Sequence, residues 1–347
     1  MTDNLQDLYN VYLQKKTAKM CELLENLDED ASCSSITPSP LDTGFRNRAK
    51  FKIYCKNDSI RFMGTDPIQG EVPVSESLWI LPDWGREYVL KINDIIKDTY
   101  KKFPVDGFEI KLTHGRKECH VILSVKKRTS GFNEELAKTL LGNISGLTGV
   151  AIPSLKLEFG ERFLNHRIFE LDIFAHYLAF FQSNFHLIPQ LLQKVRSSFK
   201  MKNYDRIIDL YCGVGLFSLT LKDRAKEIFG VDSSKWAIES SVINSKYFGQ
   251  NQSIFKCTSV EKFLSAFPLF RNDVIFLNPP RQGLSSVVID TTASQRPRTV
   301  CLVSCFLDTH LLDLKQWKDS GYSIRSITAY DMFPFTDFLE TVTVLES

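Results

Sequence analysis

Short apolar runs alternate with helical segments through the C-terminal half of the chain, and that alternation admits few folds. The runs are RIIDLYC, EIFGVD, SIFKC, DVIFLNP and TVCLVSC, with stretches such as FSLTLKD and AIESSVINSKYFG between them. Strands separated by helices cannot pair as tight hairpins. They form βαβ units and a doubly wound, mostly parallel sheet. The last segment, ITAYDMFPFTDFLETVTVLE, reads instead as an antiparallel pair.

The pattern differs upstream. Residues 4–28 carry Leu5, Leu8, Tyr12, Met20, Leu23, Leu24 and Leu27 at helical spacing. ASCSSITPSPLDTG (31–44) has linker composition. Residues 45–64 and 107–127 alternate like strands, the second pair around a HGRK turn. A length of 347 residues suits two domains. We divide the chain into an N-terminal helical segment and linker (1–43), an α+β domain (44–180) and the doubly wound domain (181–347).

No apolar run reaches the ~18–20 residues of a membrane span. The first 30 residues are polar and acidic, without a signal core, so a cytoplasmic location and no membrane partner are expected. Eight cysteines include no CxxC pair, so reduced thiols and no metal site are expected.

The first βα turn reads Asp209-Leu-Tyr-Cys-Gly213-Val-Gly215-Leu-Phe217-Ser. Glycines at a strand-to-helix turn let a ligand approach the backbone. The next strand ends in Asp232, placed to accept hydrogen bonds from ribose hydroxyls. A dinucleotide site would want a third glycine, where this chain has Ser218. S-adenosylmethionine, which has no phosphate, suits the turn better. A later strand ends in Asn278-Pro-Pro-Arg281, whose prolines stiffen a loop at the ligand edge. Asn278 offers a donor and an acceptor to the amide edge of a base.

Cys305 closes the following strand at the same edge. A cysteine there becomes a nucleophile if neighbouring positive charge, with Arg281 as the candidate, lowers its pKa. Glu340 stands where a turn enters a hydrophobic strand, and burial would raise its pKa towards the range of a general base.

DLYCGVG, NPPRQG, SC at a strand end and DMFPFTxxxE, in that order, resemble the RNA uracil-C5 methyltransferases, which include tRNA and 23S rRNA (uracil-5-)-methyltransferases. The likeness covers residues 170–347, with a second patch at GFRNRAK (44–50). It implies a Rossmann-like class I methyltransferase domain preceded by an α+β RNA-contacting domain. It implies Cys305 as nucleophile and Glu340 as proton acceptor. Gln182, Tyr211, Gly213, Gly215, Asp232 and Asn278 would hold S-adenosylmethionine, with Gln182, Asn278 and Arg281 also near the target base. The chain most resembles the smaller 23S rRNA enzymes, so a monomer acting on 23S rRNA rather than tRNA is expected. No iron–sulfur cluster is expected, because Cys21 and Cys33 lack the close spacing. Two positions depart from the pattern: Phe306 replaces an asparagine and Phe338 a histidine. They keep open the reading of a non-catalytic RNA-binding relative. The NPPR loop, which also occurs in enzymes that methylate exocyclic amines, keeps open that chemistry without covalent catalysis.

The overall charge of +2 hides a division: residues 1–30 carry net −4, residues 31–200 net +6, and residues 201–347 are neutral. Arg46, Arg48, Lys50 and Lys52 recur every second residue, which puts four cations on one strand face with Phe51 and Ile53 opposite. A second set is Lys111, Arg116, Lys117, Lys126, Lys127 and Arg128, with His114 and His120. Such faces neutralise phosphates, and Arg46, Arg48 and Lys50 are the expected RNA contacts. A flipped uridine would need an aromatic pocket, for which Phe180, Phe181 and Phe335 are candidates.

Overall fold

The computed structural model describes residues 2–27, 36–57, 59–101, 105–125, 132–199, 204–250 and 253–347. The chain forms two compact units. One comprises Met1–Pro40, Leu178–Phe181 and His186–Ser347, the other Leu41–Tyr177 and Gln182–Phe185. Residues 1–40 thus group with the C-terminal half.

The chain opens with helix α1 (Thr2–Glu25) and a two-residue strand β1 (Ile36–Thr37). The second unit follows with β2 (Arg48–Lys56), β3 (Ser59–Asp66), β4 (Gly70–Pro73), α2 (Val74–Ser77), α3 (Asp83–Thr99), β5 (Gly107–Leu112), β6 (Cys119–Ser124), α4 (Phe132–Asn143), β7 (Leu147–Ile152), β8 (Leu157–Gly160), β9 (Phe163–Ile168) and β10 (Leu171–His176). Its sheet runs β4-β3-β2-β5-β6-β7-β8, and β9 pairs with β10 alone. The alternation read in residues 48–53 holds: Ala49, Phe51 and Ile53 point into the core, where Phe51 meets Phe108 at 4.9 Å. Ile92 and Ile96 of α3 are fully buried, as expected for the apolar stripe of an amphipathic helix.

The first unit resumes with α5 (Ile188–Ser198), β11 (Tyr204–Leu210), α6 (Leu216–Thr220), β12 (Ala225–Asp232), α7 (Lys235–Tyr247), β13 (Ser253–Cys257), α8 (Val260–Ala266), β14 (Val274–Leu277), α9 (Ser286–Ser294), β15 (Thr299–Ser304), α10 (Leu307–Asp319), β16 (Ser323–Tyr330) and β17 (Glu340–Glu346). The sheet order is β1-β16-β17-β15-β14-β11-β12-β13. Strands β15, β14, β11, β12 and β13 are parallel, while β17 pairs antiparallel with both β15 and β16. The doubly wound, mostly parallel sheet expected from the sequence is therefore present. Its central strands are continuous apolar runs because helices cover both faces; Val274–Leu277 is buried throughout.

Helix α1 docks on this unit. Met20, Leu24 and Leu27 join the core that contains Leu307, Leu314 and Trp317. Lys16 is buried: its Nζ donates to Asp331 Oδ1 at 2.7 Å and to the Phe333 carbonyl at 2.9 Å. Burial lowers the Lys16 pKa, and the attraction of Asp331 opposes that shift. Strand β1 holds the same place, since its Thr37 carbonyl accepts the Asp331 N–H at 2.8 Å. Of the cysteines, Cys21 is disulfide-bonded, contrary to the expectation of reduced thiols throughout, while Cys55, Cys119, Cys212, Cys257, Cys301 and Cys305 are free. Among the described residues no helix is long and apolar enough to cross a membrane.

Breaking a buried ion pair leaves one charge uncompensated, which costs about 3–5 kcal/mol. Lys16→Met is expected to destabilise the protein by that order in urea denaturation. Lys16→Met with Asp331→Leu should recover most of the loss.

Candidate active site

The parallel strands end together, and those ends carry most of the residues singled out above. Leu210 of β11, Val231 of β12 and Leu277 of β14 are in register, so Tyr211, Asp232 and Asn278 follow at one edge. Asn278 donates its backbone N–H to the Leu210 carbonyl at 3.2 Å. The chain turns sharply after β11. Tyr211 has φ 63°, Gly213 55° and Gly215 80°, the left-handed region that favours glycine. Nothing lies within 4 Å of where a Gly213 Cβ would stand, whereas at Gly215 it would meet Ser241 Cβ at 3.1 Å. The first glycine thus leaves open space and the second permits close packing.

Asp232 braces this turn. One carboxylate oxygen accepts the Gly213 N–H at 3.0 Å and the other the Ser234 N–H at 2.8 Å. Its side chain is half-buried, so each oxygen keeps acceptor capacity for a ligand. Asp209, buried behind the turn, accepts both the Ser218 N–H (3.1 Å) and hydroxyl (2.5 Å). Ser218 therefore does what a third glycine could not: it ties the start of α6 to β11. Burial pushes Asp209 up to about 7 against those two bonds. The sequence names Asp209 only as the first residue of the motif; its role depends on a partner nine residues on.

The NPPR loop is tied down by Asp313 of α10, another residue the sequence gives no reason to select. Both its oxygens accept the Leu284 N–H at 3.2 Å, and burial raises it to about 7. Gly283, at φ 77°, passes so close that a Cβ would stand 3.1 Å from this carboxylate.

Cys305 and Glu340 meet through strand register. Ser304 of β15 is paired with Thr341 of β17, and the chains run antiparallel, so the residue after Ser304 faces the residue before Thr341. Leu339 N–H donates to the Cys305 carbonyl at 3.3 Å, which extends the ladder past that point. Glu340 is buried, and burial raises its pKa to about 7, with Arg281 opposing. The Cys305 thiol is pushed up to about 11 by burial and by Glu340, against the pull of the Arg281 charge. The expected lowering of this pKa is therefore absent: Arg281 is present but burial outweighs it, and the thiol is neutral at pH 7.

Other expectations are redirected. Phe335 is fully buried between Tyr9 (5.5 Å) and Tyr12 (5.9 Å) of α1, so it is a packing residue rather than a pocket wall. Phe180 is exposed and Phe181 half-buried. Gln182 belongs to the second unit, where its carbonyl accepts the Asn47 side-chain amide at 2.8 Å. Arg46 precedes β2 and bridges to Asn184. Arg48, Lys50 and Lys52 do share the outer face of β2, but carboxylates on neighbouring strands partner them: Glu109 takes Arg48 and, at 3.5 Å, Lys50, while Glu71 takes Lys52 at 2.5 Å. The expected cationic stripe is a mixed-charge face. Lys111 is buried, with its amine on the Tyr177 carbonyl, and burial lowers it to about 8. His120 is buried and pushed down to about 4, and Arg116 pairs with Asp172 at 3.0 Å. Lys126, Lys127 and Arg128 lie outside the described residues.

The family model for tRNA (uracil-5-)-methyltransferase matches residues 164–347, more than half of the chain. The chain belongs to the tRNA (uracil-5-)-methyltransferase family. It is 26% identical to an uncharacterized RNA methyltransferase of Lactobacillus johnsonii, over 97% of this chain and 80% of that one. It is 28% identical to one of Nanoarchaeum equitans, over 94% and 74%. The fold is similar to the crystal structure of Pyrococcus abyssi tRNA (uracil-54, C5)-methyltransferase in complex with S-adenosyl-L-homocysteine. The TM-score is 0.75 at 22% identity, covering 97% of this chain and 83% of that one. As a member of this family the protein is an S-adenosylmethionine-dependent RNA methyltransferase. The open space at Gly213 and the free acceptor capacity of Asp232 fit such a cofactor. Among the described residues no group of three or more His, Cys, Asp or Glu could hold a metal ion.

Asp232→Ala removes the brace and the acceptor together; S-adenosylhomocysteine affinity measured by calorimetry is expected to fall at least about tenfold, one lost charge-assisted bond. Glu340 gives a pH signature. Its folded pKa lies above the 4.5 of a solvated glutamate, so its contribution is full below that value and is lost as pH rises through about 7. Glu340→Gln should match wild-type stability near pH 4.5 and exceed it at pH 8 by about 2–3 kcal/mol in denaturant titrations.

Proposed function

We propose that this protein methylates C5 of a uridine in structured RNA through a covalent adduct with Cys305, with Glu340 as the proton acceptor. The register that sets Cys305 against Glu340, within the influence of the Arg281 charge, carries this reading. Uracil C5 is a weak nucleophile. Addition of the Cys305 thiolate to C6 converts the C5–C6 double bond into an enolate with carbon nucleophilicity at C5. S-adenosylmethionine held at the glycine turn would supply an electrophilic methyl group, its S–CH3 bond breaking to leave neutral S-adenosylhomocysteine. Once C5 carries the methyl, Glu340 takes the C5 proton, the double bond re-forms, and the C6–S bond breaks to release the thiolate.

Each electrostatic feature has a use in this scheme. A carboxyl near pH 7 is half ionised in a dry site, which suits a general base. Arg281 stabilises both the thiolate and the ionised Glu340. Tyr211, Gly213, Gly215, Asp232 and Asn278 hold the cofactor along the strand ends. Gln182, Arg46, Arg48 and Lys50 serve the RNA side, the last two after exchange of Glu109 for phosphate. The motif variants GFRNRAK, DMFP and NPPR favour 23S rRNA over tRNA as the substrate.

Incubation with cofactor and 5-fluorouridine RNA tests the scheme, because fluorine cannot leave as a proton does. A stable RNA–protein adduct located at Cys305 by mass spectrometry is expected. Methylation that survives Cys305→Ala would point to exocyclic-amine chemistry, and cofactor binding with no transfer on unmodified 23S rRNA or tRNA to a non-catalytic relative. On ordinary RNA, Glu340→Gln should accumulate the adduct, since the C5 proton then has no acceptor. Both active forms are deprotonated, so the single-turnover rate should rise with pH, steeply up to about 7 as Glu340 ionises and less steeply from there towards about 11 as the Cys305 thiolate forms.

A further inference from the structure

Arg281 leaves the NPPR loop with an exposed side chain, yet it does not point freely into solvent. Its guanidinium carbon lies 3.7 Å from the centroid of the Phe338 ring, close for a cation–π contact. Phe338 stands two residues before Glu340 on the loop between β16 and β17 and is itself braced. Phe306, directly after Cys305, meets it at 5.6 Å, and Phe333 meets it at 6.0 Å. Lys19 of α1 lies 5.8 Å from the Phe306 ring, on its way to Asp308 at 2.8 Å. A guanidinium held over a ring keeps its N–H groups free to donate, and the Arg281 charge favours the Cys305 thiolate. A long exposed arginine without that ring would spread over many rotamers.

We propose that Phe338 is a positioning residue whose ring holds the Arg281 guanidinium against the Cys305 thiol and so governs how readily the thiolate forms. The catalytic consequence rests on the reading of Cys305 as nucleophile; the contact itself does not. Cys305 is faced by two charged groups, Glu340 and Arg281, and they act in opposite directions. Displacing the guanidinium leaves the carboxylate unopposed. Phe306 and Phe338, the two departures from the family pattern, then form one aromatic unit.

The test is the rate of Cys305 alkylation by iodoacetamide between pH 7 and 10, followed by mass spectrometry on the intact protein. Exposed Cys55 and Cys257 serve as internal standards. Phe338→Leu, which removes the ring, should slow Cys305 about three- to tenfold at pH 8 and displace its rate–pH profile to higher pH, with the standards unchanged. Phe338→Trp should stay within about twofold of wild type, because indole is the better cation–π partner. In an Arg281→Gln background, Phe338→Leu should have no further effect. Unaltered alkylation in Phe338→Leu, or equal slowing with and without Arg281, would overturn the proposal. If the leucine variant melts below the assay temperature, Phe338→Met is judged by the same criteria. The assay contains no RNA or cofactor, so its failure leaves the uridine reading intact. Failure of fluorouridine trapping likewise leaves the clamp intact.

Discussion

One antiparallel strand in an otherwise parallel sheet determines the chemistry this unit can host. Parallel strands bring only carboxyl ends to the ligand edge, and each carboxyl end leads into a loop and a helix. β17 enters between β15 and β16 in the opposite sense, so its first residue, rather than its last, arrives there. That is how Glu340 comes to face Cys305 although 35 positions separate them in the chain. The pairing of Ser304 with Thr341 sets the thiol against the carboxylate, and a slip of one residue would turn Glu340 to the other face of the sheet.

The same pairing explains why both groups have shifted pKa values. An acid at the edge of a sheet would ordinarily be solvated. Glu340 is buried instead, and burial raises both groups. The loop ahead of it, Asp331–Leu339, is itself held by Lys16, β1 and the Tyr9–Phe335–Tyr12 cluster.

Much of this was legible in the sequence. The alternation of apolar runs and helices predicts the parallel sheet, because period and length are local properties. Strand ends predict which residues share an edge, so Tyr211, Asp232, Asn278 and Cys305 could be grouped before any coordinates. What pairs with what across the chain was not legible. Arg48, Lys50 and Lys52 looked like a phosphate-binding stripe because Glu109 and Glu71 lie on other strands. Lys111 looked exposed because the Tyr177 carbonyl that receives it is 66 residues away. The Cys305 thiol looked activated because Arg281 is visible in a motif, whereas the burial that outweighs it is a property of the fold. Helix α1 looked like a separate segment; its lysines at 15, 16 and 19 gave no sign that their partners were Asp337, Asp331 and Asp308.

Those three ion pairs also bear on the order of events when the protein is made. Residues of α1 leave the ribosome early, while Asp331 is synthesised 315 residues after Lys16. The helix also waits for Leu307, Leu314 and Trp317 of α10, which share a core with its Met20, Leu24 and Leu27. A chain that stops before Glu340 thus carries the glycine turn and Asp232 without the carboxylate that faces Cys305.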